Sequence, residues 1–273
     1  MKSFIRKRVV AILSFLSRRV LTMKDPIIIA VTGNIGKTTT KDYIFSFLKY
    51  KFVKNKQLTV RASQKSENSE FGVNLTILGE KNAWNNGLKW AKIILKHLFK
   101  FSYKNYPEVL VLEVGADKPG DIKYITSIIK PDLVVLTAFQ KSPTHGEFFQ
   151  SIEQHINEKK YLVEKMKKDG VIVYNSDDEV MSKMAEEKVN RNPRIKIFSF
   201  GYKEDSNVQI VENTNLYNDD AEIVGVKMRF YLKLENYSEE LELRLLGVVG
   251  EAHAYSVAAA VCVSMLNGYG KED

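Results

Sequence analysis

Between a run of β-formers, Ile27-Ile28-Ile29-Ala30-Val31, and an amphipathic stretch from Lys37 to about Lys49 lies Thr32-Gly33-Asn34-Ile35-Gly36-Lys37-Thr38-Thr39. These types and spacings suit phosphate. Glycines let backbone amides turn inward, the start of the following helix adds its unpaired N–H groups, and a lysine and a hydroxyl stand at the first turn. In such a loop Lys37 meets the β- and γ-phosphates and Thr38 binds magnesium. The general pattern has a further glycine at position 31, where this chain has Val31.

Other chemistry-bearing residues follow apolar runs. Glu113 ends Val109-Leu110-Val111-Leu112, and an acid at the C-terminal end of a parallel strand points into the crevice where ligands bind. Its carboxylate is a hard oxygen ligand of the kind magnesium takes. His145 sits in Ser142-Pro143-Thr144-His145-Gly146-Glu147, after the run Leu133 to Leu136, and Asn175-Ser176-Asp177-Asp178 follows Val171 to Tyr174. Asn68 and Ser69, by themselves, read as the cap of a helix. Asp117 and Asp121 read as caps of the next helix, and His97 and His155 as structural.

Taken together, Thr-Gly-x-x-Gly-Lys-Thr-Thr-Thr-Lys at 32–41 resembles the ATP loop of the Mur ligases, which join amino acids or peptides to a cell-wall precursor. In that family the shortened glycine pattern is normal. The resemblance runs from about Pro26 to the end of the chain and is closest to the branch that adds D-alanyl-D-alanine to a UDP-N-acetylmuramoyl-tripeptide. It implies ATP on Thr32, Gly33, Asn34, Ile35, Gly36, Lys37, Thr38 and Thr39. It also implies Asn68 and Ser69 near the substrate, magnesium on Thr38 and Glu113, and a second metal near His145. In Glu158-Lys159-Lys160-Tyr161-Leu162, the family spacing selects Lys159 as the lysine that becomes a carbamate. Gly250 to Ala260 resembles the segment opening a helix beside the adenine, with His253 and Ser256 where the family has asparagines. Lys37, His145 and Lys159 are the implied catalytic residues. The implied reaction is carboxylate activation by ATP through an acyl phosphate, followed by amide formation in the cytoplasm. A nucleotide-binding, membrane-peripheral scaffold that does not ligate stays open as the alternative.

The elements that must hold these residues are strands apolar throughout, alternating with helices, which indicates an α/β fold with a mostly parallel sheet covered on both faces. Strands are expected at 27–31, 58–60, 109–114, 133–136, 171–174 and 195–200. Helices are expected at 37–49, over most of 72–98 with breaks at Gly79 and Gly87, and at 121–129, 152–168 and 252–266. Alternation between about 208 and 246 indicates a small antiparallel segment. Of 273 residues, 44% are hydrophobic and 27% charged, as in an ordinary globular protein, and the single cysteine excludes disulfide frameworks and multi-cysteine zinc sites.

The net charge of +8 is uneven. Residues 1–24 hold seven basic and no acidic residues, so the other 249 sum to +1, and a nucleic-acid footprint across the body is not expected. Ile5, Val9, Ile12, Leu13, Leu16 and Val20 recur at helical spacing. A basic amphipathic helix over 1–24 either packs on the domain that follows or touches an anionic membrane surface, and the two are compatible. Residues 25–273 form the expected ATP-binding central domain. Complete Mur ligases have a UDP-sugar domain before it and a closing domain after it, so the chain reads either as a fragment, with a catalytic centre incomplete in isolation, or as a natural stand-alone relative.

Overall fold

The computed structural model describes residues 3–53, 56–64, 69–100, 102–139, 149, 151–234, 237–250 and 252–266. In chain order the elements begin α1 (Ser3–Lys24), β1 (Ile27–Thr32), α2 (Lys37–Lys49), the hairpin β2 (Phe52–Val53) and β3 (Lys56–Gln57), β4 (Val60–Ala62), α3 (Glu70–Leu78) and α4 (Gly87–Leu98). There follow β5 (Val109–Glu113), α5 (Asp121–Ile125), β6 (Leu133–Leu136), α6 (Ile152–Glu164), β7 (Val171–Asn175), α7 (Glu179–Arg191) and β8 (Lys196–Gly201). The chain continues through β9 (Val208–Tyr217), β10 (Ile223–Leu234), β11 (Tyr237–Leu246) and α8 (Ala252–Leu266).

One nine-stranded sheet runs in the order β11-β10-β9-β8-β7-β6-β1-β5-β4. Every pairing from β4 to β9 is parallel, and β9, β10 and β11 are joined antiparallel. The antiparallel segment therefore extends the same sheet. Alternation of side chains along each strand splits the core in two. Ile28 and Ala30 of β1 face one core with α1, α3 and α5; Ile29 and Val31 face the other with α2 and α8. In the register, Val31 lies opposite both Glu113 of β5 and Val135 of β6, so the C-terminal ends of three strands open on one edge.

Helix α3 explains α1. Its sequence, EFGVNLTIL, is apolar on every side, and eight of its nine residues are buried. A helix of that kind must be covered on the face away from the sheet. Helix α1 does this with Val9, Val10, Leu13, Leu16 and Val20, and Ile12 turns outward instead. Polar groups cross the contact: Asn74 Nδ2 donates to Ser14 Oγ at 3.0 Å, and Ser14 Oγ shares a hydrogen with the Tyr124 hydroxyl at 2.8 Å, whereas the buried Asn74 Oδ1 has no hydrogen-bond partner.

Several elements depart from the pattern read off the chain. Helix α7 was not expected; its buried face is Met181, Met184, Ala185 and the stem of Lys188, and Asp178 caps it by accepting from the amides of Val180 and Met181. Strand β4 begins at Val60 because that residue pairs with Val109. Neither Asp117 nor Asp121 caps α5. The carboxylate of Glu158, on α6, accepts from the amides of Gly120, Ile122 and Lys123, while Asp121 ties the preceding loop through the amides of Asp117 and Lys118.

If α1 is part of the core, Leu16→Ala should lower unfolding stability by about 2–5 kcal/mol, the range for a buried leucine truncation. Phe15→Ala, on the outward face, should change it by less than about 0.5 kcal/mol. Urea denaturation reads both, and equal effects would contradict the assignment.

Candidate functional site

The loop between β1 and α2 is pressed onto the end of β6. The amide of Asn34 donates to Ala138 O at 2.6 Å, and Thr137 Oγ1 donates to Ile35 O at 2.6 Å and to Thr32 O at 3.2 Å. A Cβ on Gly33 would meet Thr137 Oγ1 at 2.0 Å, so only glycine allows this approach. Gly36 takes φ 80 and opens α2 without a side-chain cap. The first amides of α2, at Lys37, Thr38 and Thr39, therefore keep the unpaired donor character and positive end of a helix N-terminus.

Three side chains converge on that end. Thr38 Oγ1 donates to Glu113 Oε2 at 2.8 Å, and Lys37 Nζ donates to Asn34 O at 3.1 Å. Burial lowers the Lys37 pKa, while the negative charges of Glu113 and then Asp117 oppose the shift. Glu113 is itself buried and positioned from behind: its amide donates to Ser63 Oγ at 2.8 Å, and Lys41 Nζ donates to Ser63 O at 2.7 Å. Lys41 and Ser63 are positioning residues that the sequence reading passed over. The lysine was visible as the last residue of the loop motif, but nothing near Ser63 marks it.

On the other side, α6 brings Lys159 inward. It is 2% exposed, and its Nζ lies 3.0 Å from His155 Nε2, one helical turn away. Burial lowers its pKa to about 7, with the nearby Lys37 charge acting in the same direction and Glu158 against it. Lys160 instead pairs with Glu187 at 2.6 Å on the outer face, so only one of the adjacent lysines turns toward the phosphate loop. His155, read from sequence as structural, is thus beside a candidate residue; its signal was the i, i+4 spacing to Lys159.

A cavity of about 370 Å³ adjoins the loop, and its lining among the described residues includes Gly36, Thr40, Asn175, Asp177, Tyr255 and Ser256. Ser256 Oγ accepts from Thr40 Oγ1 at 3.1 Å. Asp177 accepts from the Tyr255 hydroxyl and the Tyr202 amide, and Asn175 Oδ1 accepts from the Asp177 amide, so this turn shapes the wall. His253 is not on this wall; its Nδ1 lies 3.0 Å from the Tyr43 hydroxyl on α2. Ser69 occupies the N-cap of α3, without a side-chain cap bond. Asn68 and His145 lie outside the described residues.

The donor set fits a magnesium–nucleotide. An amine, a hydroxyl and a carboxylate stand together at a helix N-terminus, and Thr32 Oγ1, at the loop entrance, is buried with no hydrogen-bond partner. Among the described residues no cluster of His, Cys, Asp and Glu forms a metal site by protein ligands alone. That suits magnesium, which takes one or two protein oxygens and fills its shell from phosphates and water.

The model of the Mur ligase middle domain matches residues 31–264. A UDP-N-acetylmuramoyl-tripeptide–D-alanyl-D-alanine ligase of Buchnera aphidicola is 27% identical over 238 residues, 87% of this chain and 42% of that protein. A UDP-N-acetylmuramoylalanine–D-glutamate ligase of Clostridium acetobutylicum is 26% identical over 205 residues, 73% of this chain and 36% of that protein. The chain thus spans less than half the length of these relatives. Among solved structures, MurF ligase from Thermotoga maritima in complex with ADP superposes with a TM-score of 0.69 at 24% identity, over 96% of this chain and 50% of the other. That likeness establishes the fold.

The buried amine gives a pH test. Labelling of Lys159 by an acylating reagent should follow a titration with its midpoint at about pH 7, read by mass spectrometry. The native amine sits below the unfolded value, so between about pH 7 and 10.5 the unfolded chain holds more protons and stability rises with pH. Lys159→Met should remove both the titrating label and that share of the rise. A Lys159 that labels only at strongly alkaline pH would contradict the burial argument.

Proposed function

Since the chain belongs to the Mur ligase family and carries its middle domain, we propose that it is the ATP-handling part of an ATP-dependent amide ligase. The observation that supports this most is the meeting of Lys37, Thr38 and Glu113 at one strand edge, with Thr38 and Glu113 2.8 Å apart. Residues 25–273 are read as the ATP-binding unit. By the names of its relatives, the carboxylate belongs to a UDP-N-acetylmuramoyl peptide and the amine to an amino acid or to D-alanyl-D-alanine.

Residues 32–39 would cradle the phosphates through backbone amides, with Lys37 on the β- and γ-oxygens. Thr38 and Glu113 would hold magnesium, whose chemistry is to neutralise the charge on the transferred phosphoryl group. The substrate carboxylate oxygen attacks the γ-phosphorus and ADP leaves. The amine nitrogen then attacks the acyl carbon, phosphate leaves with the C–O bond electrons, and the amine gives up a proton. Phosphoryl transfer of this kind asks the protein for positioning and charge stabilisation. The near-neutral Lys159 amine has the lone pair needed to add to carbon dioxide with loss of a proton, giving the carbamate that the family resemblance implies. His145, Asn68 and Ser69 take their roles from that resemblance alone, the first by a second metal and the others near the substrate. His253 takes its place by the adenine from the same resemblance, and Tyr255 and Ser256 are read as walls of the nucleotide cavity.

Binding of ATP to the purified chain, measured by calorimetry with and without magnesium, tests the reading. Lys37→Ala should weaken binding about tenfold or more, the loss of a charge-assisted contact to phosphate. Glu113→Gln should reduce the magnesium-dependent part and leave metal-free binding near its original value. Unchanged affinity in both variants would remove the assignment. Phosphate release that depends on added carboxylate and amine substrates separates a ligase from a nucleotide-binding scaffold.

A further inference from the structure

Two basic stretches free of acidic residues lie on α1 and around α4. One is 1–24, with seven basic residues; the other is 81–107, with Lys81, Lys89, Lys92, Lys96, Lys100 and Lys104. Together they carry thirteen positive charges against a chain total of +8, so the remainder is net −5. Summing the chain outside 1–24 hides the second stretch, because acids elsewhere cancel it.

The fold brings the two stretches together. Helices α1 and α4 both bury their inner sides in the core on the α3 face of the sheet, α4 through Trp90 and Ile93. They meet where Arg19 Nη1 donates to Leu98 O at 2.9 Å. Their outer sides therefore look away from the same sheet face.

Those outer sides are apolar as well as basic. On α4, Leu88, Leu95 and Phe99 fall on one line at i, i+7 and i+11 and are 86%, 53% and 67% exposed; Trp84 joins them from the preceding turn at 77%. On α1, Ile12 and Phe15 are exposed between Arg8 and Arg18. Lys89 and Lys92 flank the α4 line and are exposed, whereas Lys96 is drawn into an ion pair with Glu80. The true inner face of α4 is already satisfied, with Trp90 Nε1 donating to Trp84 O and His97 held by Glu80 and Tyr103.

We propose that the joint outer face of α1 and α4 docks this protein on an anionic lipid surface, with the leucines and aromatics in the headgroup boundary and the lysines and arginines on the lipid charges. The charge segregation chooses the occupant. An exposed apolar line of this size marks an interaction surface, but a second copy of this chain would bring like charges face to face, whereas an anionic bilayer complements them. Trp and Phe suit the water–lipid boundary, and long basic side chains reach past apolar neighbours to the headgroups. Among the described residues no helix is long and apolar enough to cross a membrane, so the contact is one of surface attachment. The proposal is independent of the nucleotide site.

Vesicle co-sedimentation of the full chain tests it, using phosphatidylcholine vesicles against vesicles with about a third phosphatidylglycerol. Expected is partition onto the anionic vesicles alone, weakened at about 0.5 M salt, where screening shortens to a few Å. Lys89→Glu/Lys92→Glu and Leu88→Ser/Leu95→Ser should each reduce partition about tenfold or more, with the melting temperature and ATP affinity of the native chain kept. All four positions are exposed, so the variants keep the core. Three results would overturn the proposal: equal or absent binding to both vesicle types, full binding by both variants, or a self-associating chain that Leu88→Ser/Leu95→Ser makes monomeric while vesicle binding is absent.

Discussion

The arrangement depends on the register of β1 between β5 and β6. With Val31 set against Glu113 on one side and Val135 on the other, the chain leaves β1 at the point where β5 delivers its carboxylate and β6 its Thr137 hydroxyl. A slip of one residue would turn Glu113 to the opposite face of the sheet. The turn at Gly33 then has no room for a side chain, and the helix that follows starts within hydrogen-bond reach of Glu113. Lys41 and Ser63 lock the third side, joining α2 and the end of β4 to the β5 backbone. The site is thus a property of strand pairing more than of the loop motif alone.

Under the proposed reading, electrostatics suit the site to an anion. Burial works against the charge on both Lys37 and Lys159, and the charge on Lys37 further disfavours that on Lys159. Glu158, close to Lys159, is occupied with the amides of α5. The Lys37 amine beside uncapped helix amides forms a positive environment that phosphate oxygens would relieve. The same cation makes Lys159 the amine most easily left neutral, which is the state in which an amine is a nucleophile.

Much of this was legible in the chain because the signals were local. The phosphate loop, the apolar strands before it and after it, and the acid at the end of 109–113 are contiguous patterns, and the sheet follows from their alternation with helices. What escaped was set by residues far apart in sequence. Glu158 caps a helix 36 residues upstream, and Ser63 holds a strand 50 residues downstream. Helix α7 is hard to see in the chain because it is the most polar of the helices, with a buried face of methionine and alanine set among charged residues. On α1, Val9, Leu13, Leu16 and Val20 are buried as their spacing implies, and the difference lies at the edge of the stripe, with Val10 inside and Ile12 outside. The charge of 81–107 vanished in a whole-chain sum and became a feature only when α4 was seen beside α1.

A crystal structure of the chain soaked with a non-hydrolysable ATP analogue and manganese tests the central claim most directly, because anomalous scattering locates the metal without assumption. One manganese is expected between Thr38 Oγ1 and the Glu113 carboxylate at about 2.0–2.3 Å from each coordinating oxygen, near the octahedral magnesium distance. The β-phosphate should lie on the amides of residues 36–38. Manganese bound elsewhere with Glu113 unliganded, or a nucleotide seated away from the β1–α2 loop, would contradict it.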